Sequence, residues 1–175
     1  PHDSLRFPFT AAEIVALAHL PWPGAGARRA AAIDDAALDA AGAAEYAQRP
    51  YLQLSGGERS RVRFARCLAQ VWGQPGAWLL LDEPVAHADF AHQHHCLAEA
   101  RRQARSGLGV LVTLHDPNLA GHYADDVALL HAGRLLASGP ADELLTPGNL
   151  SAVYGTHIEH SIDTDGHAYF HVRTD

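Results

Sequence analysis

An α/β fold with a separate all-helical lobe is what this sequence predicts, and three patterns predict it. From residue 77 onward, short apolar runs alternate with helical stretches, the order that builds a parallel sheet flanked by helices. Before residue 77 the periodicity is helical throughout. Near the C-terminus, Asp165-Gly166 separates two strand-like stretches, 157–162 and 168–172, and reads as a hairpin turn. The expected division is therefore a helical lobe over residues 1–76 and an α/β part over 77–175.

Taken in order, Thr10-Ala11-Ala12-Glu13 has the form of a capping box, and Ile14, Val15, Leu17 and Ala18 supply an apolar face before Pro21 ends the helix. Residues 21–26 are a loop by composition. An Ala-rich helix is expected over 30–41, stopped by Gly42, and a second short helix over 43–48. Ser55 opens a longer helix with Val62, Ala65, Leu68, Ala69 and Trp72 as its buried stripe and Arg59, Arg63 and Arg66 opposite. Residues 77–81 and 109–114 read as buried parallel strands, joined by a helix ending near Arg105. Pro117 suits the first turn of the next helix. A hairpin over 127–137 and short helices near 142–145 and 150–154 complete the chain.

Composition narrows the function. The formal charge of −7 argues against a nucleic-acid binder, which would carry a basic patch. Cys67 and Cys96 fall inside helical patterns without disulfide-like spacing, as suits a reducing compartment. No apolar run approaches the ~20 residues needed to span a bilayer, so any membrane role is expected to be peripheral.

Two stretches carry chemistry. Leu54-Ser55-Gly56-Gly57-Glu58 opens a helix with a glycine pair, leaving backbone N–H groups bare for a docking phosphate. Ser55 and Glu58 alone would make an ordinary capping box. The glycines are what that reading leaves unexplained, since each costs about 1 kcal/mol in a helix relative to alanine. Downstream, Leu79-Leu80-Leu81-Asp82-Glu83-Pro84 delivers adjacent acids at the C-terminal edge of a strand, where open α/β sheets place their ligands. Strand alternation gives the acids different faces and allows them different jobs.

These residues resemble the motifs of ABC-type ATPases, P-loop NTPases in fold: 54–58 the signature motif, 79–84 the Walker B strand with its catalytic glutamate, and Val112-Thr113-Leu114-His115-Asp116 the switch-histidine loop. The resemblance covers residues 5–154. Phe7-Pro8-Phe9-Thr10 with Glu13-Ile14-Val15-Ala16-Leu17, and His115-Asp116-Pro117-Asn118-Leu119-Ala120, are most similar to the ATP-binding subunits of heme, iron-siderophore and cobalamin importers, heme first. The resemblance implies ATP and Mg²⁺ as cofactors, Asp82 holding Mg²⁺ through water, and Glu83 activating the attacking water. His115 would contact the γ-phosphate. Ser55, Gly56, Gly57 and Glu58 would face nucleotide bound by a second copy in a head-to-tail dimer. Asp89 closes Val85-Ala86-His87-Ala88-Asp89, which occupies the D-loop, although His87 and Ala88 depart from the usual Ser-Ala-Leu-Asp. Residues 7–42 would meet membrane permease subunits at the cytoplasmic face of the inner membrane, with a periplasmic binding protein acting indirectly.

The chain has no Lys, all 13 of its basic residues being Arg, so the phosphate-binding Gly-x-x-x-x-Gly-Lys-Ser/Thr loop is absent. An N-terminally truncated chain, inactive alone, is the expectation. Competing readings are a non-transport ABC ATPase of DNA repair or translation, which would carry coiled-coil arms or a second motif set, and a silent interaction fragment. His92, His94, His95 and Cys96 lack the spacing of a structural zinc site. His157, His160, His167 and His171 read as surface strand residues.

Overall fold

The computed structural model describes residues 9–20, 27–86, 88–164 and 166–173. The loop expected over 21–26, the start of the segment expected to meet a permease, His87 of the expected D-loop and Asp165 of the expected terminal turn lie outside the described residues. The chain divides into two compact units, Pro1–Thr113 and Leu114–Asp175.

The first unit begins with α1 (Ala11–Ala16), closed by the expected capping box: Thr10 Oγ1 accepts from the Glu13 N–H at 3.2 Å, and Glu13 Oε2 accepts from the Thr10 N–H at 2.7 Å. Helix α2 (Ala27–Ala40) starts earlier than expected and buries Ala37 and Leu38. The short helix expected over 43–48 is instead a single 3₁₀ turn, Ala44–Tyr46. The N–H groups of Tyr46, Ala47 and Arg49 bond three residues back, to the carbonyls of Ala43, Ala44 and Tyr46, and the carbonyls of Ala47 and Arg49 satisfy the N–H groups of Ala12 and Ala11 at the start of α1. Helix α3 (Gly56–Val71) packs against α1 and α2. Its buried stripe is Val62, Ala65, Leu68 and Ala69 as expected, joined by Phe64; Trp72 has left helical geometry as the C-cap and is only half-buried.

Strands β1 (Trp78–Leu81) and β2 (Gly109–Val112) pair in parallel, with Trp78 opposite Gly109 and Leu81 opposite Val112. Helix α4 (Phe90–Arg105) makes the crossover and packs on β2, while α3 packs on β1. These strands are not buried on both faces. Leu79 and Leu81 are covered, whereas Trp78, Leu80 and Leu111 are 66%, 65% and 57% exposed, because nothing among the described residues covers the second face. Gly109 is required by close approach: a Cβ there would lie 2.4 Å from the Trp78 indole.

The second unit opens with α5 (Pro117–Tyr123), capped by Asp116, with Pro117 in the first turn. Strands β3 (Asp126–His131) and β4 (Arg134–Pro140) form an antiparallel hairpin. Its turn residues, Ala132 and Gly133, both have positive φ, 48° and 73°, as the mirror-image hairpin turn demands. Then come α6 (Ala141–Leu144), α7 (Pro147–Tyr154) and the hairpin of β5 (Ile158–Ile162) with β6 (Ala168–Val172). Leu129, Ala141, Leu145, Leu150, Ile158 and Phe170 make its core. Among the described residues, no helix is long and apolar enough to cross a membrane.

Candidate functional site

The paired acids sit immediately beyond β1. Backbone pairing places Thr113 beside them, since its N–H donates to the Leu81 carbonyl at 3.0 Å. From there the Thr113 hydroxyl donates to Asp82 Oδ1 at 2.7 Å and accepts from the Glu83 N–H at 2.8 Å. One hydroxyl thus fixes a carboxylate and the next residue's backbone. Glu83 itself has φ of 44°, a left-handed conformation that costs a non-glycine residue about 1–2 kcal/mol. A strained, exposed glutamate held by a neighbour's side chain is the kind of outlier that accumulates at working sites. Ser60 Oγ donates to the Pro84 carbonyl at 3.2 Å, tying the loop after β1 to α3.

At the start of α3, Ser55 accepts from the Glu58 N–H at 3.3 Å and Glu58 Oε2 accepts from the Ser55 N–H at 2.6 Å. Arg49 Nη1 adds an ion pair to Glu58 at 2.8 Å. The backbone donation from Ser55 and the Arg49 guanidinium hold the Glu58 carboxyl below the usual carboxylate range. Both its oxygens are engaged in building the turn. The N–H groups of Gly56 and Gly57 have no acceptor among the described residues, and a Cβ on either glycine would meet nothing within 4 Å. Packing within the chain therefore does not require glycine at these positions. A 16-residue helix ending in two bare N–H groups suits an anion.

Asp89 is the N-cap of α4, accepting from the His92 N–H at 2.8 Å, and lies 3.6 Å from Arg61 of α3. The backbone donation lowers its pKa, with Arg61 adding to the effect. His92 is buried, and its Nε2 has no hydrogen-bond partner among the described residues. Burial pushes its pKa down, Arg61 adds to this and Asp89 opposes it.

His115 belongs to the second unit, where it is exposed and precedes the Asp116 cap of α5. Its carbonyl accepts a hydrogen bond from the Tyr154 hydroxyl at 2.6 Å.

These residues fit part of a Mg-nucleotide site. Asp82 has one oxygen satisfied by Thr113 and the other without a partner among the described residues, and carboxylate oxygen is the donor that Mg²⁺ prefers. Among the described residues no group of three or more His, Cys, Asp or Glu could hold a metal. Mg²⁺ commonly takes only one or two protein carboxylates, with phosphate and water completing its shell. The glycine-pair N–H groups fit a phosphate, while no lysine is present to grip it from the other side. Thr113, Ser60 and Arg61 were not singled out for these contacts by sequence, because the partners each one meets are 31, 24 and 28 positions away.

No family profile matches the chain. The fold aligns with an ABC transporter in an inward-facing conformation at TM-score 0.78, with 23% identity over 96% of this chain and 68% of that one. It also aligns with dimeric MJ0796, a bacterial ABC transporter cassette, at TM-score 0.67, with 25% identity over 77% of this chain and 58% of that one. The fold is that of ABC transporter ATPase cassettes, and in sequence the chain is similar to the ATP-binding subunits of ABC transporters. Within them it is 49% identical over 157 residues to the hemin import ATP-binding protein HmuV of Pseudomonas putida, an alignment that covers 89% of this chain. The chain spans 61% of the length of that relative.

Proposed function

We propose that this chain supplies the signature and catalytic-acid portion of the nucleotide-binding subunit of an ABC importer, coupling ATP hydrolysis to uptake of heme, or of an iron-siderophore or cobalamin. In this reading residues 1–76 are the signature lobe and 77–175 belong to the ATPase core. Glu83 accepts the proton of the attacking water. Asp82 holds Mg²⁺ through water, and His115 contacts the γ-phosphate. Bound Mg-ATP supplies the phosphoryl group and the charge that this cation neutralises. Ser55, Gly56 and Gly57 donate to phosphate held by the opposite copy, with Glu58 shaping that turn and Asp89 lying at the contact between copies. The partners are a second copy and membrane permease subunits, with a periplasmic binding protein engaged indirectly, at the cytoplasmic face of the inner membrane.

The observation that carries this reading is the Thr113 bridge, which holds Asp82 and a strained Glu83 in fixed relation at the end of β1. Its test uses a hybrid with the phosphate-loop portion of an ABC ATPase fused ahead of residue 1. Glu83→Gln keeps the side-chain shape but cannot take a proton, so turnover should fall roughly 10²-fold or more while Mg-ATP binding survives. The protein should then run as a dimer on size exclusion with Mg-ATP. Asp82→Asn should bind Mg-ATP poorly and stay monomeric. Equal loss of nucleotide binding in both variants would sink the division of roles.

A further inference from the structure

The His115 loop is fixed from several directions within the second unit. Asp116 Oδ1 accepts from the Asn118 N–H at 2.8 Å and so sets the start of α5. Asn118 in turn makes a reciprocal pair with the backbone of Phe170 on β6: its amide donates to the Phe170 carbonyl at 3.1 Å and its oxygen accepts from the Phe170 N–H at 2.7 Å. That clamp pins α5 to the terminal hairpin. It leaves the peptide just before α5, the one carrying the His115 carbonyl, to be set by something else. Tyr154 does this. As the last residue of α7 it sends its hydroxyl to that carbonyl at 2.6 Å, a short O–H···O bond.

Tyr154 is 44% exposed and lines an apolar cleft of about 180 Å³ with Pro117, Asn118, Ile158 and Phe170, and its reach to His115 is set by the helix that carries it. The position of α7 is itself set at both ends, by the Thr146 cap and by Gly155 in the left-handed conformation that ends it. Burial, with the charge of Asp116, raises the Tyr154 pKa, so the hydroxyl stays protonated and able to donate.

We propose that Tyr154 is the positioning residue for His115: its hydrogen bond orients the His115 peptide and thereby sets where the imidazole is presented. This rests on the reading of His115 as the γ-phosphate contact. Tyr154 touches no reacting atom and acts only through the His115 backbone. A side chain that must meet a phosphate oxygen at hydrogen-bond distance is sensitive to its own backbone, since a displacement of about 1 Å can cost up to 10²-fold in rate.

The test has two parts. In the chain itself, Tyr154→Phe removes only the hydroxyl, and NMR should show the carbonyl carbon of His115 shifting while the Asn118–Phe170 pair keeps its hydrogen-exchange protection. An unmoved His115 carbonyl would overturn the proposal at its geometric root. In the phosphate-loop hybrid, Tyr154→Phe should lower kcat about 10-fold with KM for ATP changed less than twofold, and should have no further effect in a His115→Ala background. Multiplicative effects of the two substitutions would overturn it, because Tyr154 would then act by some other route. If His115→Ala lowers turnover and Tyr154→Phe does not, the positioning role falls and the His115 reading stands. If His115→Ala leaves turnover unchanged, the His115 reading fails and this proposal with it.

Discussion

The backbone of Glu83 offers a measurable conflict between stability and function. At φ of 44° this residue occupies a region where an L side chain costs about 1–2 kcal/mol and glycine costs nothing sterically. Glu83→Ala removes the carboxylate and keeps the Cβ, so the strain remains; Glu83→Gly removes both. Glycine gives back about 0.5–1 kcal/mol through the greater freedom of the unfolded chain. From the middle of each range the glycine variant should be more stable than the alanine variant by about 0.75 kcal/mol, the extremes being about 0 and 1.5 kcal/mol. With a urea m-value of about 2 kcal/mol/M, the central value is a midpoint higher by roughly 0.4 M. The Glu83 N–H that donates to Thr113 is a backbone group and is retained in both variants, so the comparison isolates the Cβ. Urea denaturation followed by circular dichroism provides the assay. A glycine variant no more stable than the alanine variant would refute the claim that the native backbone is strained here. With Glu83 as the proposed base, both variants should lose hydrolysis in the phosphate-loop hybrid, the stability gained with glycine coming at the expense of activity.

Two further predictions concern stability. Ala132, with φ of 48° in the β3–β4 turn, should accept glycine with a gain of about 0.5–1 kcal/mol, read as a higher melting temperature; an unchanged or lower value would argue against the mirror-image turn. His92 has its pKa lowered from 6.5, so as pH falls through that range the unfolded chain takes up a proton that the folded chain refuses. Its contribution is complete above pH 6.5 and is lost as pH falls towards the folded value. The groups facing it are Arg61 of α3, Asp89 at the α4 cap and His95 on α4 itself. Wild type should accordingly lose more stability between pH 7.5 and 5.5 than His92→Leu does, measured by urea midpoints, and parallel curves would contradict the assignment.

Local pattern was enough to find what depends on neighbours in sequence. The capping boxes at Thr10 and Ser55, the Pro117 start of α5, the β3–β4 and β5–β6 hairpin turns and the motif residues 54–58 are set by interactions spanning a few positions. Their chemistry is legible for the same reason, because a glycine pair or adjacent acids keep their meaning without long-range contacts. Tertiary structure decided the rest. It made the stretch expected as a helix over 43–48 a 3₁₀ turn, with the carbonyls of Ala47 and Arg49 satisfying the first N–H groups of α1. It left one face of the β1–β2 pair open, which an apolar run cannot reveal, since the run reads the same whether one face or both are covered. It buried His92, whose Nε2 has no partner among the described residues. It also joined Thr113 to Asp82 within the first unit and Tyr154 to His115 within the second, through hydrogen bonds that span 31 and 39 positions. A threonine or tyrosine hydroxyl carries no sequence signal for its partner, and only the fold brings the two together.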